Sequence, residues 1–228
     1  MKQFHNIHKN ERAFIICNGP GLDNIDVSLL NNDIVFIMNR GYRLEKRGLD
    51  ISRTYFVAID AVITAQFYDE FREIECKAKF CNRIGEGERI YGFGVGNPLR
   101  AFQTDMTKGI RQFHSVTNVA LQIAYWMGCD PVYIVGMDHK IDYSTSKKVK
   151  VDGKLKWVVQ ESDKNHFDPD YLPEGTVYSP QDLRMVAFGY MLARETFERD
   201  GRTLLNLSTP THLSPQIMPI GSFEEIMK

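Results

Sequence analysis

An acid and an imidazole, Asp138 and His139, follow the apolar run Pro131-Val132-Tyr133-Ile134-Val135 and a Gly136-Met137 break. A short apolar run closed by glycine reads as a buried strand, and open α/β sheets bind ligands in the crevice beyond the strands' carboxyl ends. Asp138 and His139 are therefore candidates for chemistry, with capping of the next turn as the plain alternative for Asp138. Equivalent places hold three more polar clusters. Asn18-Gly19-Pro20-Gly21 follows Ala13-Phe14-Ile15-Ile16-Cys17, and its glycines would let a phosphate or nucleotide approach free backbone N–H groups closely. A branched side chain at Gly19 would fill that space. Asn39 follows Ile34-Val35-Phe36-Ile37-Met38, and Asp60 follows Thr54-Tyr55-Phe56-Val57-Ala58-Ile59; each could bond a ribose or base edge, or simply serve a turn.

His114-Ser115-Val116-Thr117-Asn118 opens an apolar helix. A helix's first turn favours an anion by a few tenths to ~1 kcal/mol, and Ser115 or Thr117 would cap it. His166, within Asn165-His166-Phe167-Asp168-Pro169-Asp170-Tyr171, has little core to support in such a loop, and an imidazole is the natural acceptor of a sugar hydroxyl proton. Asp138, His139 and His166 do not make a metal set, because two are sequence neighbours and the third is remote. No metal site is assigned. The chain has neither Gly-x-Gly-x-x-Gly nor a Walker A loop, and Ser-His-Asp hydrolysis lacks its Gly-x-Ser-x-Gly elbow.

The elements that must position these residues alternate. The four runs above, a shorter strand at Ala78-Lys79-Phe80-Cys81 and another at Thr203-Leu204-Leu205-Asn206-Leu207 are separated by a helix-like segment at 61–74, the apolar helix before Gly128, and a helix stopped by Gly201. Ser179, Pro180 and Asp182 predict the start of that last helix, with Ser179 as N-cap. Strands alternating with helices predict an α/β, Rossmann-like, mostly parallel sheet with helices on both faces. Residues 140–178 break the rhythm. Lys148-Val149-Lys150-Val151 and Lys154-Leu155-Lys156-Trp157-Val158-Val159 flank Asp152-Gly153, a hairpin signal, and with the His166 loop they form an insertion long enough to act as a lid over the crevice.

Residues 1–228 read as one nucleotide-binding domain with 140–178 inserted in it. Lys+Arg 28 against Asp+Glu 29 leaves a net charge of -1, so no global field recruits nucleic acid or a membrane. Cys17, Cys76, Cys81 and Cys129 lack paired metal spacing and read as buried thiols in a reducing cytoplasm. The first twelve residues are polar and charged, unlike a leader. No run nears the ~20 apolar residues of a membrane span, so any membrane attachment would be peripheral.

Val119-Ala120-Leu121-Gln122-Ile123-Ala124-Tyr125-Trp126-Met127-Gly128-Cys129-Asp130-Pro131-Val132-Tyr133, Gly136-Met137-Asp138-His139 and the 165–171 motif resemble the 6-hydroxymethylpterin diphosphokinase MptE-like family. That family mixes a pterin kinase with proteins of surface polysaccharide synthesis. Asn18-Gly19-Pro20, Asn39 before an aromatic and the helix-strand-Gly136-Met137-Asp138 unit are similar, more distantly, to bacterial CMP-sialic acid-dependent sialyltransferases and related flagellin glycosyltransferases. This second resemblance implies that Asn18, Gly19, Pro20 and Asn39 hold the CMP part of a donor, that Ser115 and Thr117 lie by the nucleotide, and that Asp138 lines the donor site. Two positions depart from it: Gly21 stands where those enzymes have serine, and Tyr178 where they have their base histidine.

The implied activity is a glycosyltransferase that uses a sugar nucleotide, such as a CMP-activated nonulosonic acid, to build a surface glycan. His166 would be the base, Tyr143 or Tyr171 would donate to the leaving phosphate, and Arg40 or Arg111 would add charge. The partners are then the donor and a glycan or small-molecule acceptor; an oligomer is compatible with this reading. The first resemblance implies instead an ATP and Mg²⁺-dependent diphosphokinase with Asp60 and Asp138 as metal-binding acids. A non-catalytic nucleotide-binding partner in a polysaccharide assembly complex is the third reading.

Overall fold

The computed structural model describes residues 1–81, 90–91 and 101–228. Seven strands form one sheet: β1 (Ala13–Ile16), β2 (Ile34–Met38), β3 (Tyr55–Ala58), β4 (Ala78–Cys81), β5 (Ile90–Tyr91), β6 (Val132–Val135) and β10 (Leu204–Asn206). Their order is β10-β6-β1-β2-β3-β4-β5, and every pair is parallel. β1 to β4 and β6 are buried along their whole length, as strands covered on both faces must be. The chain leaves β1 toward β2 but leaves β6 toward β10, so the direction of winding reverses between β1 and β6.

Alternation along the strands divides the core. Ile15, Phe36, Val57 and Ile134 face a cluster with α3 (Val116–Met127) and α4 (Leu183–Arg199), through Val119, Ile123, Tyr190 and Phe197. Phe14, Ile16, Ile37, Phe56 and Val135 face the other side. There the cover is α1 (Ala61–Gln66), α2 (Tyr68–Glu73), α5 (Phe223–Ile226) and 3-10 turns at Pro20–Asn24, Val27–Leu30 and Asn39–Arg47. The 61–74 helix is thus two helices that break at Phe67. α4 starts later than expected, because Asp182, not Ser179, accepts the Arg184 and Met185 amides. All four cysteines are buried and form no disulfide, and burial pushes the Cys17, Cys81 and Cys129 thiols up to about 12.

The hairpin forms as β7 (Ser146–Val151) and β8 (Lys154–Val159), and a short third strand, β9 (Val177–Tyr178), joins it antiparallel. Among the described residues no helix is long and apolar enough to cross a membrane.

Candidate functional site

A cleft of about 1090 Å³ opens at the carboxyl ends of the strands. Its walls come from the ends of β1 to β3 and β6, the start of α3, and the 140–178 segment. It is centred where β1 and β6 diverge, the position at which α/β sheets leave room for a ligand. Asn18, Gly19, Asn39, Asp60, Ser115, Thr117, Asp138, His139 and His166 all line it. Pro20, Gly21 and Tyr143 do not.

The Asn18–Gly21 turn is braced rather than open. The Gly19 amide donates to Gly136 O at 3.0 Å, and the Gly21 amide to both Asp138 carboxylate oxygens at 3.2 and 3.0 Å. Pro20 has no N–H, so the expectation of free backbone donors at these three residues is corrected: the amides are committed to the end of β6. A side chain at Gly19 would meet Asp138 Cγ and Gly136 O at 2.7 Å before it met any ligand. Glycine is required here by the contact between two loops. The end of β6 is held from the other side as well, since Met137 N donates to Ser208 Oγ at 2.8 Å and Thr211 Oγ1 to Met137 O at 2.7 Å. Burial raises the Asp138 carboxyl above the ordinary range, partly offset by the Gly21 amide.

Asp60 caps α1, taking the Val62 amide at 2.7 Å and the Ile63 amide at 3.2 Å. Both acids assigned to Mg²⁺ in the kinase reading are thus engaged by backbone. Among the described residues no group of three His, Cys, Asp or Glu stands close enough to hold a metal ion. Ser115 caps α3 by accepting the Thr117 amide at 3.1 Å, and Thr117 is buried against Cys17, Oγ1 to Sγ 3.4 Å. Asn18 donates to Met38 O at 3.1 Å, while the Oδ1 atoms of Asn18 and Asn39 are buried with no hydrogen-bond partner.

Four residues that border the cleft, Asn39, Phe113, His114 and His139, have φ between 44° and 58°. Left-handed backbone is costly for residues other than glycine and asparagine, and such strain gathers at functional sites. His139 is half-buried; burial first, and then the nearby His212, lowers its pKa.

His166 is held on two sides. Its Nδ1 lies 2.6 Å from Asp163 Oδ2, a carboxylate only 2% exposed, and its ring stacks on Tyr171 at 4.0 Å and 11°. The expectation that it has little core to support is therefore corrected. Tyr171 is fully buried; its hydroxyl accepts the Arg40 amide at 3.1 Å and donates to Met38 O at 3.3 Å. Burial raises its pKa far above the ordinary phenol range, so Tyr171 is committed as a platform and does not serve as the phosphate donor. The loop is also tied to the turn after β1, because Phe167 N donates to Asn18 O at 2.9 Å. A carboxylate on one ring nitrogen fixes the tautomer and leaves the other nitrogen for chemistry. Asp163 was missed in the sequence, though an acid three residues before a histidine was there to be read.

Three other assignments are corrected. Tyr143 stacks on Trp157 at 4.2 Å, outside the cleft. Arg40 is buried and donates to Asp170 O at 2.9 Å and Tyr171 O at 2.6 Å, with Glu70 as its ion-pair partner. The backbone of Arg111 is bonded to Gln122, outside the cleft. The cations that border the cleft are Lys140, Lys154 and Lys156, joined by the phenol of Tyr178. Lys156 donates to Ser179 Oγ at 2.6 Å and Tyr178 to Ser146 Oγ at 2.9 Å. Burial raises the Tyr178 pKa, so it remains a proton donor at neutral pH.

A parallel α/β sheet with its cleft at the reversal of winding, roofed by a small antiparallel sheet, defines the fold class. The particular likeness is to the sialyltransferase CstII from Campylobacter jejuni, whose structure was determined in complex with a substrate analogue, cytidine-5'-monophosphate. The two share 16% identity over 93% of this chain and 85% of that one, with a TM-score of 0.52. The fold is sialyltransferase-like and resembles that of a glycosyltransferase. No protein-family model matches the chain, so membership of the MptE-like family is not shown, and no curated protein matches it.

Proposed function

We propose that this chain is a glycosyltransferase whose donor is a CMP-activated sugar of the nonulosonic acid kind, serving the synthesis of a surface glycan. The observation that carries this reading is the Asp163–His166 pair on the cleft wall, in a fold similar to that of a CMP-complexed sialyltransferase. The acceptor hydroxyl would attack the anomeric carbon while the bond to phosphate oxygen breaks and CMP leaves with the electron pair. His166 Nε2 takes the hydroxyl proton, and Asp163 stabilises the imidazolium. Lys154, Lys156 and Lys140 supply the positive charge that Arg40 and Arg111 do not, and Tyr178 is placed to donate to the leaving phosphate. The buried oxygens of Asn18 and Asn39 support a nucleoside site: an unpaired buried acceptor costs about 1–3 kcal/mol, and turning the amides toward the cleft would satisfy them from ribose hydroxyls or a cytosine amine.

Titration calorimetry with CMP in the presence of a chelator tests the reading. CMP should bind without divalent metal, and a CMP-sugar should be consumed with an acceptor. Binding of ATP only with Mg²⁺, and no binding of CMP, would overturn it in favour of pyrophosphate transfer. CMP binding without turnover for any donor would leave a nucleotide-binding partner.

A further inference from the structure

We infer that the β7–β8 ribbon is a docking surface for an anionic lipid bilayer. This inference goes beyond the reaction proposed above and does not depend on it. The ribbon carries Lys147, Lys148, Lys150, Lys154 and Lys156 against the single acid Asp152, in a chain whose net charge is -1. None of the five lysines forms an ion pair among the described residues. The register sets each of them opposite an apolar side chain: Lys147 faces Val158, Lys148 faces Trp157, Lys150 faces Leu155, Lys154 faces Val151 and Lys156 faces Val149. Mutual repulsion therefore goes uncompensated within the ribbon, and an external polyanion is the natural counter-charge.

The apolar residues decide which polyanion. Val151 and Leu155, 40% and 48% exposed, lie on opposite faces of the hairpin beside the Asp152-Gly153 turn, so each face near the tip presents an apolar side chain to solvent next to a lysine. Behind it, Trp157 lies under the Lys148 ammonium at 5.3 Å and stacks with Tyr143. Each six-residue strand is roughly 20 Å long. Exposed apolar side chains interleaved with lysines and backed by amphipathic rings suit the boundary between headgroups and acyl chains. A soluble glycan or nucleic acid would engage the lysines but give Val151 and Leu155 nothing. The ribbon also borders the cleft along β8, through Lys154 and Lys156, and at its base through Ser146, so docking through the β7 lysines Lys147, Lys148 and Lys150 would set the cleft mouth close to the membrane surface.

Co-sedimentation of the full chain with vesicles tests the inference. It should pellet with phosphatidylcholine vesicles doped with phosphatidylserine, remain in solution with phosphatidylcholine alone, and be released as salt shortens the Debye length. Lys147→Glu, Lys148→Glu and Lys150→Glu together should weaken partitioning at least ~10-fold, since each lysine contributes separately near an anionic surface. Val151→Ser with Leu155→Ser should also lose binding, and both variants should melt like the parent. Three results would each overturn the proposal: equal partitioning to neutral and anionic vesicles, parental partitioning of the lysine variant, or full binding by the serine variant combined with complete displacement by heparin. The last would assign the surface to a soluble polyanion instead.

Discussion

Within 140–178, two neighbouring regions are built on opposite terms. From 163 to 171 almost every polar group is engaged: Asp163 on His166, Asn165 exchanging hydrogen bonds with the Asp142 backbone, Asp168 on Arg43 at 2.6 Å, and the Asp170 and Tyr171 carbonyls on Arg40. In the ribbon from 146 to 159 the lysines carry no ion pairs among the described residues, and apolar side chains stay in water. Charge in an insertion is thus informative only with its partners. In one region it fixes an imidazole; in the other no carboxylate among the described residues answers it. The His166 loop is fastened to both Asn18 and Arg40, whereas the ribbon is tied at its base, through β9 and Ser179.

The contrast can be broken first at His166. His166→Ala should lower kcat of the proposed transfer by at least ~10²-fold with donor affinity retained, because a positioned base contributes about 10²–10⁴. Steady-state kinetics on a folded variant checks it, and near-parental transfer would remove the base assignment. Arg40→Met should cost about 2–4 kcal/mol in urea unfolding, since it strands the Asp170 and Tyr171 carbonyls at once. It should also raise the rate of hydrogen exchange in the 163–171 loop. Gly19→Ala should cost about 1–3 kcal/mol by overpacking against Asp138 and Gly136 O; an unchanged urea midpoint would mean that the braced turn yields easily.

A smaller effect belongs to His139. Its pKa is lowered on folding, so the folded chain binds fewer protons than the unfolded one between the folded pKa and the ordinary value near 6.5. Stability therefore falls as pH drops through that window. His139→Asn, which keeps a side chain suited to φ 52°, should flatten the fall, as thermal melts across pH would show. The smallest effect sharpens the comparison. Lys147→Glu, Lys148→Glu and Lys150→Glu should each shift stability by less than about 0.5 kcal/mol, because all three are exposed and none forms an ion pair among the described residues.

The sheet was legible because fully buried strands are written as continuous apolar runs, and glycine or a polar residue marks where each ends. The two-sided cover was legible on only one face. α3 and α4 carry helical spacing, whereas the opposite face is closed mostly by 3-10 turns such as Asn39–Arg47, which have no long apolar period to find. Nine of the twelve candidate site residues line the cleft: six were taken from strand ends, which the sheet itself gathers, while Ser115 and Thr117 came from a helix start and His166 from the insertion. Their roles were harder to read. Whether the Gly19 amide is free, or whether Arg40 faces a phosphate or two backbone carbonyls, depends on segments more than a hundred residues away. Tyr143 was misplaced for the same reason: its ring belongs to Trp157, a partner fixed only once the hairpin register is known.

The burial of all four cysteines gives the protein a practical property. With three of the thiols pushed up to about 12 and none at the surface, maleimides will find almost no thiolate to react with in the folded chain. A single cysteine introduced at Leu155, 48% exposed at the ribbon tip, would then take a fluorophore alone, without first removing the native four. An environment-sensitive dye there would report in real time, by its emission colour, whether that tip sits in water or in oil.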